Sequence, residues 1–228
     1  MEKQLRLYGM WASPFCLEVE VALKLKGIAF EYVQENLQQK SESLLRHNPI
    51  YQTVPVLVHD GRPVAESLVI LEYVEDTWKE CPALLPANDP YKRSRVRFWL
   101  KFFYDKFVPP CRSIVVTKGE QQQEAIRDSR ESLRAFEEGV GKDFPSETPF
   151  FHGAAPGLLD IVVGSTWCWI RLLGELTGAE LVSEETTPLL CRRIEAFQGL
   201  PVVKESQPPH DRLTTYALDL RKKVLDGV

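Results

Sequence analysis

Two serines follow extended segments and precede helical patterns, and a hydroxyl in that position can act on a ligand bound at the helix start. Ser13 is followed by Pro14, a pair typical of a helix N-cap and the first helical residue. Ser67 follows Glu66 at a second such junction, with its hydroxyl at the expected cap position. The amide groups of a helix start favour an anion, and a glutamate can pair with an ammonium group. Taken singly, each serine is also explained as a simple helix cap, with Glu66 as a solvated carboxylate.

The dipeptide Val54-Pro55 lies between these junctions and directly precedes the apolar residues 56–58. Proline cannot donate to a central ladder, so this position predicts either a turn or an edge strand. A cis peptide bond here would expose the backbone of Val54 to a ligand. Together with the two helix starts, the Val-Pro turn describes a cleft for a small zwitterion.

The elements that must position these residues fall into two groups. Alternating apolar residues predict four short strands, at residues 4–8, 29–33, 54–58 and 63–65. Helices are predicted over residues 14–26 and from residue 67, so the first part is an α/β domain with a small mixed sheet. Later helices are predicted within residues 96–107, 126–140, 158–173, 189–197 and 213–224, with Pro109-Pro110 interrupting the first of them. The domain boundaries expected from these patterns are 1–78 for the α/β domain, 79–89 for a proline-punctuated linker and 90–228 for an all-helical domain.

Composition narrows the functional classes. The chain has 228 residues, of which 44% are hydrophobic and 26% charged, with a net charge of -4, and this excludes intrinsic disorder as the main state. There is no basic surplus of the kind that nucleic acid binding requires, and the most apolar run is broken by charges before it reaches membrane-spanning length. The first six residues lack the apolar core of a signal peptide. Five scattered cysteines, with no zinc-ligand spacing, indicate reduced thiols in a cytoplasmic protein and no metal site.

Along nearly its whole length the chain resembles the cytosolic glutathione transferases, most closely those of the plant tau class. The matching segments are Trp11-Ala12-Ser13-Pro14-Phe15, Ala22-Leu23-Lys24-Leu25-Lys26-Gly27, Val54-Pro55-Val56-Leu57, Glu66-Ser67, Leu84-Leu85-Pro86, Asp89-Pro90-Tyr91 and Asp219-Leu220-Arg221-Lys222-Lys223. The resemblance implies a thioredoxin-like N-terminal domain, a helical C-terminal domain and a homodimer. It also implies glutathione as co-substrate with no separate cofactor.

Carried over by position, the resemblance makes Ser13 the catalytic hydroxyl that hydrogen-bonds the glutathione sulfur. The other implied contacts are Lys40 with the glycyl carboxylate, the backbone of Val54 before a cis Pro55 with the cysteinyl backbone, and Glu66 and Ser67 with the γ-glutamyl end. The hydrophobic acceptor site would be lined by Met10, Trp11, Phe15, Phe107, Cys111 and Trp169. The implied reaction is conjugation of glutathione to hydrophobic electrophiles in detoxification and stress response, with glutathione peroxidase activity as a side reaction.

Several residues depart from the family pattern. Gln52-Thr53 stands where many tau-class relatives carry a lysine, and Glu18 stands where a basic residue is usual, so we expect weaker glutathione binding or a less depressed thiol pKa. The interruption at Pro109-Pro110 is expected to reshape the acceptor pocket. Two alternative functions remain open from the sequence: a non-catalytic carrier of apolar molecules, and a thiol transferase that uses Cys16. A third interpretation is a dimeric interaction module that does not bind glutathione.

Overall fold

The computed structural model describes residues 5–145 and 147–226, which fold as two compact units. The first unit runs to Leu84 and takes in Pro201–Gln207 from late in the chain. The second comprises Leu85–Leu200 and the chain from Pro208 onward.

A four-stranded mixed sheet forms the centre of the first unit. Its strands are β1 (Leu5–Gly9), β2 (Glu31–Gln34), β3 (Val56–His59) and β4 (Arg62–Ala65). Their order is β2-β1-β3-β4, with β1 parallel to β2 and antiparallel to β3, and β3 antiparallel to β4. The strand-helix-strand start and the hairpin that follows confirm the predicted thioredoxin-like α/β arrangement.

Ten α-helices are assigned within the described residues. They are α1 (Pro14–Leu25), α2 (Glu42–His47), α3 (Ser67–Thr77), α4 (Pro90–Phe102), α5 (Val108–Val116), α6 (Glu120–Asp143), α7 (Leu158–Thr177), α8 (Pro188–Gln198), α9 (Pro201–Ser206) and α10 (His210–Asp226). Helices α2 and α9 were not predicted, because six residues are too few to show a helical period in the sequence. In the second unit the described part of the chain contains no named strand, in agreement with the predicted helical domain.

Helices pack against both faces of the sheet. On one face an apolar cluster joins the sheet to α1 and α3, through Leu5, Leu7, Val19, Leu23, Leu57, Ile70 and Val74. On the other face Leu44 of α2 packs against Tyr8, Val56 and Val58. Burial of these side chains, at about 1.5–3 kcal/mol for each large apolar residue, fixes the helices against the strands.

The predicted interruption at Pro109-Pro110 is wrong. Both prolines lie in the first turn of α5, which is the part of a helix that tolerates proline best. The residues before them, Phe103–Phe107, form a π-helical turn in which the Val108 N–H bonds the Phe103 carbonyl. The chain is therefore helical on both sides of this turn, with one wider turn directly before the prolines.

The buried helix predicted at residues 158–173 is confirmed as α7. Its N-terminal half is buried on all sides, and Asp160 at 2% exposure accepts hydrogen bonds from the N–H groups of Gly157 (2.9 Å), Phe151 (2.8 Å) and His152 (3.3 Å). This carboxylate ties the preceding loop to the helix start. Across residues 5–145 and 147–226, none of the helices combines the length and the apolar character that crossing a membrane demands.

Candidate active site

The strand register places four loop segments at one edge of the sheet. Tyr8 pairs with Val56, Val56 pairs with Ala65, and Gly9 at the end of β1 pairs with Gln34 at the end of β2. The C-terminal ends of β1, β2 and β4 therefore meet the N-terminal start of β3. The segments at this edge are residues 10–13, 35–41, 54–55 and 66–67, which contain all of the glutathione-contact residues expected from the sequence.

Ser13 is the N-cap of α1, as predicted. It has extended backbone torsions, with φ −82° and ψ 119°, and its Oγ accepts a hydrogen bond from the Cys16 N–H at 3.3 Å. The Ser13 N–H in turn donates to the Met10 carbonyl at 2.9 Å, which closes the loop after β1. Because the hydroxyl oxygen accepts the cap bond through a lone pair, its own proton can be donated to another group. The residue is partly exposed, so a ligand can reach this hydroxyl.

Cys16 lies directly beneath this cap and is 1% exposed. Its Sγ accepts from the Met10 N–H at 3.4 Å, so the thiol is part of the loop's internal packing. Burial raises the pKa of the Cys16 thiol to about 11, while the hydrogen bonds with Ser13 and Met10 act weakly in the opposite direction. Glu18, on the same helix, is also buried, at 1% exposure.

The Val54–Pro55 peptide bond is cis, as the resemblance implied. Of the two predicted settings, the turn is correct and the edge strand is wrong, because β3 lies between β1 and β4 in the sheet. Pro55 falls one residue before the ladder begins and so removes no ladder hydrogen bond. Val54 is partly exposed, whereas Pro55 is buried.

The Glu66-Ser67 junction differs from the prediction by one residue. Glu66, not Ser67, is the N-cap of α3, and Ser67 is the first helical residue. The reason is that the chain turns at Glu66, which has a φ of 73° and a ψ of 120° and whose carbonyl accepts the Ile70 N–H at 2.8 Å. A positive φ at a residue with a Cβ costs about 1–3 kcal/mol and is concentrated at functional sites. Glu66 is exposed and Ser67 is buried, so the carboxylate faces solvent at the mouth of the site.

Lys40 ends the loop between β2 and α2 and is exposed. The loop is drawn back by Glu35, which is 5% exposed and accepts from the Ser41 hydroxyl at 2.6 Å and from the Ser41 N–H at 3.2 Å. Ser41 also caps α2 by accepting from the Leu44 N–H at 3.0 Å. These bonds fix the backbone at Ser41, the residue directly after Lys40, while the Lys40 residue is exposed to solvent.

The residues expected to line an acceptor site are distributed over both units. In the first unit Met10 is 8% exposed, and Trp11 and Phe15 are partly buried. In the second unit Trp169 is also partly buried, with its ring edge-on to Tyr216 at 6.4 Å between centroids.

Phe107 and Cys111 do not offer surface to a ligand in this conformation. Phe107 is 1% exposed, and its ring centroid lies 4.7 Å from that of Phe103 in a cluster of aromatic rings. Cys111 is 9% exposed with its Sγ 3.9 Å from the Ser129 Oγ, and burial raises its thiol pKa to about 12. The two phenylalanines of the π-helical turn before α5, Phe103 and Phe107, are therefore core residues and not ligand contacts.

Two residues that organise the site were not identified from the sequence. Glu35 gives no signal, because a glutamate after a strand reads as a solvated side chain. Asn48 stands in the visible pair Asn48-Pro49 and is 4% exposed, with its side chain bonded to the turn before Val54. A buried asparagine cannot be told from an exposed one by sequence alone. Among the residues that the structure describes, no group of three or more His, Cys, Asp or Glu side chains could hold a metal ion.

The amino-acid sequence is similar to a known domain family and to two plant proteins. Residues 3–76 match the sequence profile of the glutathione S-transferase N-terminal domain. Glutathione S-transferase U10 of Arabidopsis thaliana is 40% identical over 96% of this chain and 94% of that protein. Glutathione transferase GST 23 of Zea mays is 43% identical over 99% of each chain.

Two solved structures have the same fold, and their sequence identities to this chain are similar. The tau class glutathione S-transferase of mango superposes with a TM-score of 0.88 at 32% identity, covering 95% of this chain and 98% of that one. Rice GST1, solved in complex with glutathione, also gives a TM-score of 0.88, at 33% identity and 98% coverage of both chains.

Proposed function

Because the chain belongs to the glutathione S-transferase family, and within it to the tau class, we propose that it conjugates the sulfur of glutathione to hydrophobic electrophiles with Ser13 as the catalytic hydroxyl. Glutathione is the co-substrate, and no separate cofactor takes part. The observation that carries the role of Ser13 is its Oγ at the α1 cap, where it already accepts the Cys16 N–H and retains a proton to donate.

The energy needed for such a serine to act is modest. A thiol with a pKa of about 8.5 is only about 3% thiolate at pH 7, and lowering that pKa by about two units requires roughly 2.7 kcal/mol. A hydrogen bond to a charged acceptor contributes about 1.5–3 kcal/mol. The α1 start adds about 0.3–1 kcal/mol. These two contributions cover the requirement without a general base, after which the reaction needs mainly positioning of the electrophile.

The order of the strands matches the order of groups in glutathione. From β4 to β2, the sheet edge presents Glu66-Ser67, then Val54, then Ser13, then Lys40. We assign these in turn to the γ-glutamyl group, the cysteinyl backbone, the sulfur and the glycyl carboxylate. Three strand spacings amount to about 14 Å. An extended tripeptide covers about 10 Å, and the long side chain of Lys40 can bridge the remainder.

A thiol transferase mechanism through Cys16 receives no support. The nucleophile in thiol-disulfide exchange is the thiolate, and reactive cysteines have a pKa below the usual value. Cys16 is 1% exposed and its pKa is raised to about 11 by burial, so it stays protonated at neutral pH.

For the electrophile we propose Met10 and the partly buried rings of Trp11 and Phe15 as the contacts that the first unit supplies, while the role of Trp169 in the second unit stays a prediction from the resemblance. Phe107 and Cys111 are left out because they are buried in the core of their own unit. We place the activity in detoxification and stress response in the cytoplasm. All five cysteines are free, as expected in a reducing compartment.

A homodimer is proposed on the large apolar side chains left exposed on each unit. In the first unit Ile50 is 82%, Tyr51 64% and Val69 55% exposed, and in the second Tyr91 is 73% and Phe98 48% exposed. Exposed apolar patches on stable proteins mark interfaces, and a second copy of the chain is the partner that we propose for them. Light scattering should give twice the chain mass of 26.1 kDa, and a shift to the single-chain mass in Val69→Glu would support this surface. A wild-type protein that is monomeric at micromolar concentration would refute it.

The catalytic proposal is tested by conjugation of glutathione to chlorodinitrobenzene in wild type, Ser13→Ala and Ser13→Thr. We expect the rate to fall at least about tenfold in Ser13→Ala, which corresponds to about 1.4 kcal/mol of transition-state stabilisation. Ser13→Thr, which keeps a hydroxyl and a cap, should retain more activity. The matched control is Asp89→Ala, which removes the cap bond to Lys92 (2.9 Å) in the second unit and should cost stability without loss of conjugation. Equal activity in wild type and Ser13→Ala would refute the role of Ser13, and glutathione binding without conjugation of any electrophile would favour the carrier.

A further inference from the structure

We propose that Asn48 is a positioning residue for glutathione, whose side chain sets the turn that presents the backbone of Val54 to the cysteinyl group. This inference rests on the proposed function of the same site. It concerns a buried residue that acts through the turn at residues 49–53.

The side chain of Asn48 spans the turn with both ends of its amide. Its Nδ2 donates to the Thr53 carbonyl at 3.1 Å and lies 3.5 Å from the Thr53 Oγ1, while its Oδ1 accepts from the Tyr51 N–H at 3.3 Å. The backbone adds a bond from the Gln52 N–H to the Asn48 carbonyl at 2.9 Å. Only one orientation of the amide satisfies both contacts, because the reverse would set N–H against N–H and oxygen against oxygen.

Within a single chain, little else holds this turn. Asn48 is 4% exposed and follows α2, but residues 49–53 are all exposed, and Ile50 and Tyr51 are 82% and 64% exposed. Gln52 has a φ of 55°, in the left-handed region that a side chain disfavours. In a single chain, a turn without apolar packing and with one unfavourable torsion depends on its hydrogen bonds, and Asn48 supplies both of the side-chain ones; in the proposed dimer, packing on Ile50 and Tyr51 would add to them.

The bond to Thr53 fixes the direction of the next N–H group. In a planar trans peptide the carbonyl and the N–H point to opposite sides. The Thr53 carbonyl is directed at Asn48, so the Val54 N–H of the same peptide unit points away from Asn48. This N–H is part of the Val54 backbone, which the proposed function assigns to the cysteinyl backbone. Displacing it would move the cysteinyl sulfur relative to Ser13.

The test compares Asn48→Asp and Asn48→Ala with wild type in steady-state kinetics, varying glutathione and chlorodinitrobenzene separately. Aspartate keeps an acceptor for the Tyr51 N–H but sets an oxygen against the Thr53 carbonyl and adds a charge at a buried position, whereas alanine removes both side-chain bonds and adds no charge. We expect the KM for glutathione to rise at least about fivefold in both variants, with the KM for chlorodinitrobenzene within about twofold of wild type. The pKa of the bound thiol, followed by thiolate absorbance, should rise as well. If Asn48→Asp does not fold, Asn48→Ser, which leaves room for water in place of the amide, is measured instead.

A matched control and the contrary outcomes separate this inference from simpler explanations. Asn88→Asp introduces the same charge at an exposed site in the second unit and should leave both KM values unchanged. If Asn48 had only a structural role, its variants would be less stable to heat, and kcat would fall in proportion to the fraction of active enzyme while the KM for glutathione stayed constant. That result would overturn the inference. Unchanged kinetics in Asn48→Asp would also overturn it. If wild type itself neither binds nor conjugates glutathione, the proposed function fails first, and this inference fails with it.

Discussion

Replacing Thr53 with lysine should tighten glutathione binding. The Thr53 residue is exposed, and the shorter contact of the Asn48 Nδ2, at 3.1 Å, is to the Thr53 backbone carbonyl, which a lysine retains. The turn should therefore survive loss of the longer contact to the Thr53 Oγ1 at 3.5 Å. The new ammonium group would lie beside the site assigned to the cysteinyl and glycyl groups, where Lys40 is the cation we assign. An exposed ion pair contributes about 0.2–1 kcal/mol, so the KM for glutathione should fall by about 1.4- to 5-fold.

Salt dependence decides whether charge is the cause. The screening length is about 30 Å at 0.01 M ionic strength and about 3 Å at 1 M, so the advantage of Thr53→Lys should be largest in dilute buffer and nearly vanish in 1 M salt. The KM for glutathione is measured at both ionic strengths with saturating chlorodinitrobenzene. Thr53→Gln, which is long and polar but uncharged, serves as control and should behave like wild type. Equal KM values for wild type and Thr53→Lys in dilute buffer would refute the reasoning, as would a gain that persists in 1 M salt.

Two further predictions concern the second unit, where α4 meets α6. Burial opposes ionisation of Asp143, but hydrogen bonds from Arg95 Nε (2.7 Å) and Trp99 Nε1 (2.6 Å) outweigh it and hold the Asp143 pKa below its usual value. The ionised Asp143 therefore stabilises the fold above its unfolded pKa, and this stabilisation is lost as the pH falls. Asp143→Asn should lower the free energy of unfolding, measured with urea, by about 1–2 kcal/mol at pH 7 and by much less at pH 3. An equal loss at both pH values would contradict this. A Cβ at Gly139 would overlap the Trp99 ring, so Gly139→Ala should lower the free energy of unfolding by about 1–3 kcal/mol. The control is Gly141→Ala, whose Cβ would meet only a side-chain carbon at 3.7 Å. This control should be neutral or stabilising by up to about 1 kcal/mol. Similar unfolding free energies for the two alanine variants would show that the helices separate to accept the methyl group.

Local signals in the sequence were sufficient for the elements that present Ser13. The alternation before it, the Ser-Pro pair and the glycine after α1 each have a direct physical meaning, and the structure has a strand, a cap and a helix in that order. The long buried helix α7 was equally visible, because its apolar residues run around the whole helix. These features depend on neighbours in the chain and need no knowledge of the fold.

The errors arose where a distant contact or a backbone torsion decides the outcome. Nothing in the letters Glu66-Ser67 shows that the chain turns one residue early with a positive φ. Pro109 and Pro110 were expected to break a helix, but a π-helical turn before them accommodates both rings. Phe107 carries the aromatic spacing of a binding helix, yet it is 1% exposed and its ring packs on Phe103, which in turn contacts Phe136 of α6.

The candidate site itself is a property of the register and not of any one motif. A helix cap, a Val-Pro turn, a Glu-Ser junction and a lysine are each common, and the sequence separates them by tens of residues. Pairing of Tyr8 with Val56 and of Val56 with Ala65 aligns three of them at one sheet edge, and the parallel pairing of Gly9 with Gln34 adds the loop that carries the lysine. A slip of one residue in β3 would exchange the side chains on its two covered faces, Leu57 in the cluster with α1 and α3, and Val56 and Val58 beside α2, so the packing that stabilises the sheet also fixes the site. Substitutions in the strands should therefore alter glutathione binding only when they disturb this pairing, whereas exposed positions in the four loop segments, such as Lys40 and Glu66, can vary the chemistry at little cost to the fold.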